Sequence, residues 1–159
     1  MPNTHLTRQI GEHLVVAELG RQGILATPFA GNMPHYDIVA LTSIGKSVYI
    51  QVKAINKGDW QLNAKRFIEI NIDPSEQQTI GRVKSTPVAP LFFVFVSLKE
   101  PGKDVFYFAD YRTVGAIVKK HYTRKHGKST HFAMRLIYLH QYLLQDWTTV
   151  ENAINKGRQ

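Results

Sequence analysis

His35-Tyr36-Asp37-Ile38-Val39-Ala40-Leu41 and Ser47-Val48-Tyr49-Ile50-Gln51-Val52-Lys53-Ala54-Ile55 are two largely apolar runs joined by Thr42-Ser43-Ile44-Gly45-Lys46. Val, Ile and Tyr favour extended backbone, and a short linking segment with Gly closes a turn, so the stretch reads as a β-hairpin. Successive side chains of a strand point to opposite faces. Val48, Ile50, Val52 and Ala54 therefore share one face of the second strand, and Tyr49, Gln51 and Lys53 share the other. Asp37 lies across the turn in the first strand. A carboxylate in such a strand costs free energy unless it meets a cation or hydrogen-bond donors. Two readings stand side by side: Asp37 and Lys53 as structural partners, or Asp37 as a metal ligand with Lys53 beside it to orient water.

Upstream of the hairpin, Thr4 and Thr7 are both candidate N-caps. Ile10, Leu14, Val15, Ala17 (or Glu18) and Leu19 recur at helical spacing, and Gly20 or Gly23 can end the helix near residue 22. Residues 24–29 look extended, and Pro28 with Gly31-Asn32-Met33-Pro34 marks a loop. Downstream, Asn56-Lys57-Gly58-Asp59 is a turn, with Trp60 and Gln61 following in a loop. Residues 66–72 alternate as a strand does, and residues 73–87 are polar and read as helical in part. Leu91-Phe92-Phe93-Val94-Phe95-Val96 has the character of a central strand buried on both faces. Pro101-Gly102-Lys103 is a turn before a strand at 105–109. Asp110 is placed to cap a helix reaching about Arg124, with Val114, Ile117, Val118 and Tyr122 on its apolar face and Arg112, Lys119 and Arg124 opposite. A short helix is expected at 148–154. There is no internal repeat and no low-complexity linker. The order predicts an α/β sandwich around a mixed sheet, one domain over residues 1–159.

Composition narrows the function. The absence of cysteine excludes disulfide scaffolds, Cys-based zinc sites, iron–sulfur centres and thiol catalysis. The start of the chain lacks the basic-then-apolar pattern of a signal peptide, and the longest apolar run, 91–96, is too short to span a bilayer. The expectation is a soluble cytoplasmic protein with no membrane partner. The net charge of +8 favours an anionic partner, and it is unevenly placed. Residues 1–52 are neutral, with Arg8, Arg21 and Lys46 against Glu12, Glu18 and Asp37. Residues 111–145 carry Arg112, Lys119, Lys120, Arg124, Lys125, Lys128 and Arg135 and no acid. That run is the expected nucleic-acid footprint, the alternative being an ordinary solvated face.

Glu12 on the first helix, Asp37 on a strand and Gln51-Val52-Lys53 further on resemble, in that order, the PD-(D/E)XK nuclease superfamily. The layout Gly11-Glu12, Gly23-Ile24, Gly31, Asp37-Ile38-Val39-Ala40, Ile50-Gln51-Val52-Lys53 is similar to archaeal Holliday-junction resolvases and related small nucleases, over residues 11–55 within a core motif region 7–55. Tyr36 stands where the family name has Pro, and Gln51 where it has an acid. A Gln offers a neutral oxygen and removes one negative charge, which weakens the hold on a hard cation. Mrr-type restriction enzymes, with the same Gln-x-Lys, are similar in this respect. The resemblance implies a restriction-endonuclease-like α/β/α sandwich. It implies Mg²⁺ (or Mn²⁺) held by Glu12, Asp37, Gln51 and the Val52 carbonyl, with Lys53 orienting water and countering transition-state charge. It further implies DNA as substrate, with RNA left open, and a homodimer. His35 is read either as a substrate contact or as a partly exposed polar residue. Trp60 is read either as a stacking platform for nucleic acid or as a packed side chain.

Other motifs carry less. Ala40-Leu41-Thr42-Ser43-Ile44-Gly45-Lys46-Ser47 has relaxed P-loop spacing, but a P-loop opens a helix and this segment opens a strand. His121, His126 and His131 have zinc-like spacings without a second ligand pair. Three function classes follow: a metal-dependent DNA endonuclease of restriction, repair or mobile-element type; an inactive nuclease fold that binds nucleic acid; and a basic adaptor for an acidic protein.

Overall fold

Every residue of Leu91–Ser97 is buried. Leu91, Phe93 and Phe95 enter one hydrophobic cluster, while Phe92, Val94 and Val96 enter another. A strand that is apolar on both faces needs cover on both, and the rest of the chain supplies it. The structure, a computed structural model, describes residues 3–29 and 33–156.

The elements run α1 (Thr4–Arg21), β1 (Leu25–Pro28), β2 (Ile38–Leu41), β3 (Ser47–Ile55), β4 (Trp60–Asn63), β5 (Ile68–Ile72), β6 (Gln78–Val83), β7 (Leu91–Ser97), β8 (Val105–Asp110), α2 (Tyr111–His121), β9 (His131–Met134), α3 (Leu136–Leu139) and α4 (Thr148–Lys156). The main sheet has the order β1-β2-β3-β7-β8. Only β3 and β7 are parallel, so the sheet is mixed. Two small antiparallel pairs, β4 with β9 and β5 with β6, stand apart from it. Val15 and Leu19 of α1 and Val150 and Ile154 of α4 pack with Ile50, Val52 and Val94 on one face. Val114, Ile117 and Val118 of α2 pack with Phe93 and Phe95 on the other, along with residues of both small pairs. This is the expected α/β/α sandwich around a mixed sheet. No helix among the described residues is long and apolar enough to cross a membrane.

Several local expectations are corrected. The side chain that caps α1 is Asn3, whose Oδ1 accepts from the His5 amide at 3.0 Å, rather than Thr4 or Thr7. Ile10 is 41% exposed, and the buried stripe of α1 is Thr7, Gly11, Glu12, Val15 and Leu19. Trp60 is not in a loop. It begins β4, is 1% exposed, packs edge-on against Phe95 and Tyr107, and donates its indole N–H to the Val96 carbonyl at 3.2 Å. The packed alternative holds, and its ring offers no face to a ligand. Residues 73–87 contain β6 and no helix. Buried Gln78 accounts for part of this, since its carboxamide bonds the Ser129 carbonyl at 3.0 Å and the Tyr122 hydroxyl at 2.7 Å. Such long-range partners override a local polar pattern. Helix α2 is capped as expected by Asp110, which accepts from the Thr113 amide at 2.7 Å, but it ends at His121. Tyr122 turns extended to reach the core, so Arg124 lies beyond the helix. Strand β9 falls in a region where the sequence pattern is less clear. Met1, Pro2 and the Gly31-Asn32 part of the expected loop lie outside the described residues.

Candidate active site

Strand β2 begins pairing with β3 at Ile38 and Ile50. Asp37 therefore sits where the two strands part. Its amide donates to the Ile50 carbonyl at 2.9 Å, and its carbonyl accepts from the Phe29 amide at 2.8 Å. Tyr36, in the place where Pro was expected, packs between Phe29 and Tyr49 with ring centroids 5.4 and 4.7 Å away and steadies the approach to Asp37. Among the described residues, β3 has no strand partner on this side past Ile50. The Val52 amide would be left open, and the Asp37 carboxylate takes it, Oδ2 accepting at 2.8 Å. In an extended strand the N–H and C=O of one residue point to the same side, so the Val52 carbonyl faces the same edge.

Glu12 reaches this region from α1, which lies close against β3. A Cβ on Gly11 would stand 2.5 Å from the Ala54 Cβ, so only glycine lets the helix come so near. The Asn56 amide donates to the Thr7 hydroxyl at 2.7 Å and ties the start of α1 to the end of β3. Glu12 is 8% exposed. Its Oε1 is buried and accepts no hydrogen bond among the described residues, although Arg8 Nε stands 3.1 Å away as an ion-pair partner off hydrogen-bond geometry.

Gln51 and Lys53 face the other side of the sheet, in register with Phe93 and Phe95. Gln51 is 5% exposed, and its Oε1 accepts from Arg66 at 3.2 Å. The same Arg66 nitrogen donates to the Pro34 carbonyl at 2.7 Å. Arg66 closes a short 3-10 turn, Ala64–Arg66, capped by Asn63, and the Tyr111 hydroxyl donates to its carbonyl at 2.6 Å. Among the described residues Lys53 forms no ion pair and no hydrogen bond through its ammonium group. The structural-partner reading of Asp37 and Lys53 is thus not a direct contact: the carboxylate bonds the Val52 amide, and Lys53 acts on it through space.

These charges shape one another. Burial, and then the negative charge of Asp37, hold the Glu12 carboxyl above its ordinary pKa, with Arg8 opposing. Burial also raises Asp37, opposed by the Val52 N–H and by Lys53. Burial, and then Arg66, lower the Lys53 ammonium, opposed by Asp37. Asp37 therefore interacts electrostatically with both Glu12 and Lys53, and Arg66 bonds Gln51 and acts on Asp37 and Lys53. Arg66 has no sequence signal of its own, since it reads as the start of the strand expected at 66–72, whereas the structure puts it in the 3-10 turn before β5.

Of the other sequence candidates, His35 lies at a pocket of about 310 Å³ beside Arg66. Arg112, Lys119 and Lys120 are exposed on α2, and Arg124, Lys125 and Lys128 are exposed in the segment that follows. Lys128 pairs with Glu76 at 3.4 Å. None of these six is among the charges that shift Glu12, Asp37 or Lys53.

Among the described residues there is no group of three or more His, Cys, Asp or Glu able to hold a metal. The available oxygens are two carboxylates, Glu12 and Asp37, with the Val52 carbonyl and the second lone pair of the Gln51 amide oxygen. A buried carboxylate oxygen that accepts no hydrogen bond among the described residues, near a second desolvated carboxylate, fits a hard, oxygen-seeking cation, although Arg8 already offers it one positive charge.

No family model matches the chain, and no curated protein matches it. By structure, it is similar to a bacterial homing endonuclease, I-Ssp6803I, with a TM-score of 0.54 over 99% of each chain at 12% identity. At that identity the likeness shows a shared fold.

Proposed function

We propose that the chain is a metal-dependent endonuclease hydrolysing phosphodiester bonds in DNA, with a site of the PD-(D/E)XK kind. The observation that carries the reading is the buried Glu12 carboxylate, whose Oε1 accepts no hydrogen bond among the described residues and which feels the charge of Asp37, with Lys53 free of ion pairs among the same residues. The homing-endonuclease character of the structural neighbour supports it. Glu12, Asp37, the Val52 carbonyl and Gln51 would hold Mg²⁺ or Mn²⁺. Bound there, the ion supplies positive charge to the phosphate and makes bound water more acidic. Asp37 is held by the Val52 amide, which fixes one oxygen and leaves the other for a ligand. Lys53 offers N–H donors to the attacking water or to a phosphate oxygen as charge builds on it. Arg66 holds the Gln51 carboxamide in place through a hydrogen bond, and its positive charge adds to that of Lys53 rather than replacing the missing carboxylate. The exposed basic residues Arg112, Lys119, Lys120, Arg124, Lys125 and Lys128 attract the polyanion at a distance. One site addresses one strand, so cutting both calls for two copies.

The test is plasmid nicking in Mg²⁺ or Mn²⁺ by the wild type, Asp37→Ala and Lys53→Ala. The wild type should nick, and each variant should be slower by about 10²-fold or more. No metal-dependent cleavage of any DNA or RNA form would sink the enzyme reading. Retained binding that falls steeply with salt would then favour an inactive nucleic-acid-binding module.

A further inference from the structure

The pocket beside Arg66 is walled by His35, Lys65, Arg66, Lys84 and Ser85 over a floor of Phe67, Leu91, Phe93 and Tyr111. A larger depression of about 980 Å³ adjoins it, sharing Lys84, Ser85, Leu91 and Tyr111 and adding Arg112 and Lys156. Among the described residues, Asp110 is the one acid lining either, and its Oδ1 is engaged in capping α2. Among the same residues, Lys65, Arg66, Lys84 and Arg112 form no ion pair; the acids that do pair lie elsewhere. The position of Lys84 is fixed: its amide donates to the Phe67 carbonyl at 2.8 Å and its ammonium to the Lys65 carbonyl at 2.6 Å. An ammonium has three donors, so two remain for a ligand. Arg66 likewise bonds Gln51 and Pro34 through a single nitrogen. Like charges gathered without a contacting counter-ion, with Glu69 and Asp37 acting on Lys84 and Arg66 only at a distance, repel, and an anion laid among them relieves the repulsion.

We propose that Lys65, Arg66 and Lys84 form a phosphate subsite that holds the backbone phosphate next to the one cut at the Glu12–Asp37 site, with the strand continuing past Arg112. The proposal deepens the nuclease reading and rests on it for the direction of the strand. The pocket is at the small end of ligand sites, about 300 Å³, which suits one phosphate and its sugar and not a duplex. The subsite therefore differs from the acid-free run at 119–128, where Lys128 is already paired.

The test is the salt dependence of binding to a short labelled DNA in Ca²⁺, which permits binding without cleavage. Relative to wild type, the double variant Lys65→Ala/Lys84→Ala should bind several-fold more weakly. The slope of log affinity against log salt should fall in magnitude by about 0.9 for each phosphate that is no longer neutralised. Lys65→Arg/Lys84→Arg should restore the slope, which separates charge from misfolding. Lys119→Ala/Lys120→Ala should change the slope less. An unchanged slope in the first variant, no rescue by arginine, an equal or larger change in the 119/120 variant, or no binding by the wild type would each overturn the subsite. If the wild type fails to cleave in Mg²⁺ but the slope difference persists, the nuclease reading fails and the phosphate subsite stands.

Discussion

Asp37 and Lys53 are both drawn out of water, and for each the burial outweighs the opposing charges and donors and shifts the group toward its neutral form. For Asp37 the folded pKa is raised. Its contribution to stability is therefore present below the unfolded value of about 3.9 and is lost as pH rises through the folded value. At neutral pH the ionised carboxylate weakens the metal-free fold. Asp37→Asn keeps an oxygen for the Val52 amide and removes the charge. It is expected to raise the metal-free melting temperature near pH 7 by about 2–4 °C per kcal/mol regained, with the gain vanishing in acid. A lower melting temperature at neutral pH would contradict this. At sub-saturating metal the same shifts place the acid limb of activity above the ordinary carboxylate range, because Glu12 and Asp37 must both lose their protons for the ion to bind, and saturating metal should move the limb down. A pH–rate profile reads this directly. At this scale the sequence was informative where strand alternation applies: Gln51 and Lys53 do share a face, and Asp37 does stand across from them. Arg66 was not legible, because its link to Gln51 passes through a 3-10 turn and a hydrogen bond fifteen positions away.

Helix α1 owes its place to Gly11. Gly11→Ala sets a methyl 2.5 Å from the Ala54 Cβ, so helix and strand must separate and carry Glu12 with them. The expected cost is about 1–3 kcal/mol of stability, with a loss of cleavage greater than the melting shift explains. Gly20→Ala is the control: nothing lies within 4 Å, and the change should be neutral or stabilising by up to about 1 kcal/mol. Equal melting temperatures for the two variants would show that the close crossing does not matter. Element by element, β3 emerged with the bounds read from its alternation, Ser47–Ile55, and the apolar run of β7 was plain. Strand β6 was hidden because its signal is the burial of Gln78 against residues far along the chain. The end of α2 was overextended because Tyr122 fits a helical apolar stripe equally well until packing turns it.

For the whole molecule, the two cores hold α1 on one side of the sheet and the Ala64–Arg66 turn on the other, and the site forms where β2 and β3 part between them. The net charge of +8 pointed to an anionic partner, and its run at 111–145 was plain in the sequence. The pocket cations could not be found that way, because Lys65 and Arg66 precede β5, Lys84 follows β6, and only the pairing of these two strands brings them together. A cation that binds only the folded state stabilises it by mass action, by about 2.7 kcal/mol at a hundredfold excess over its dissociation constant. Mg²⁺ should therefore raise the melting temperature of the wild type and leave that of Asp37→Ala unchanged. The most direct measurement is the initial rate of plasmid nicking with and without Mg²⁺ for the wild type and Asp37→Asn. The account predicts Mg²⁺-dependent nicking that Asp37→Asn reduces by about 10²-fold or more. Nicking that needs no metal, or that survives in Asp37→Asn, would contradict it.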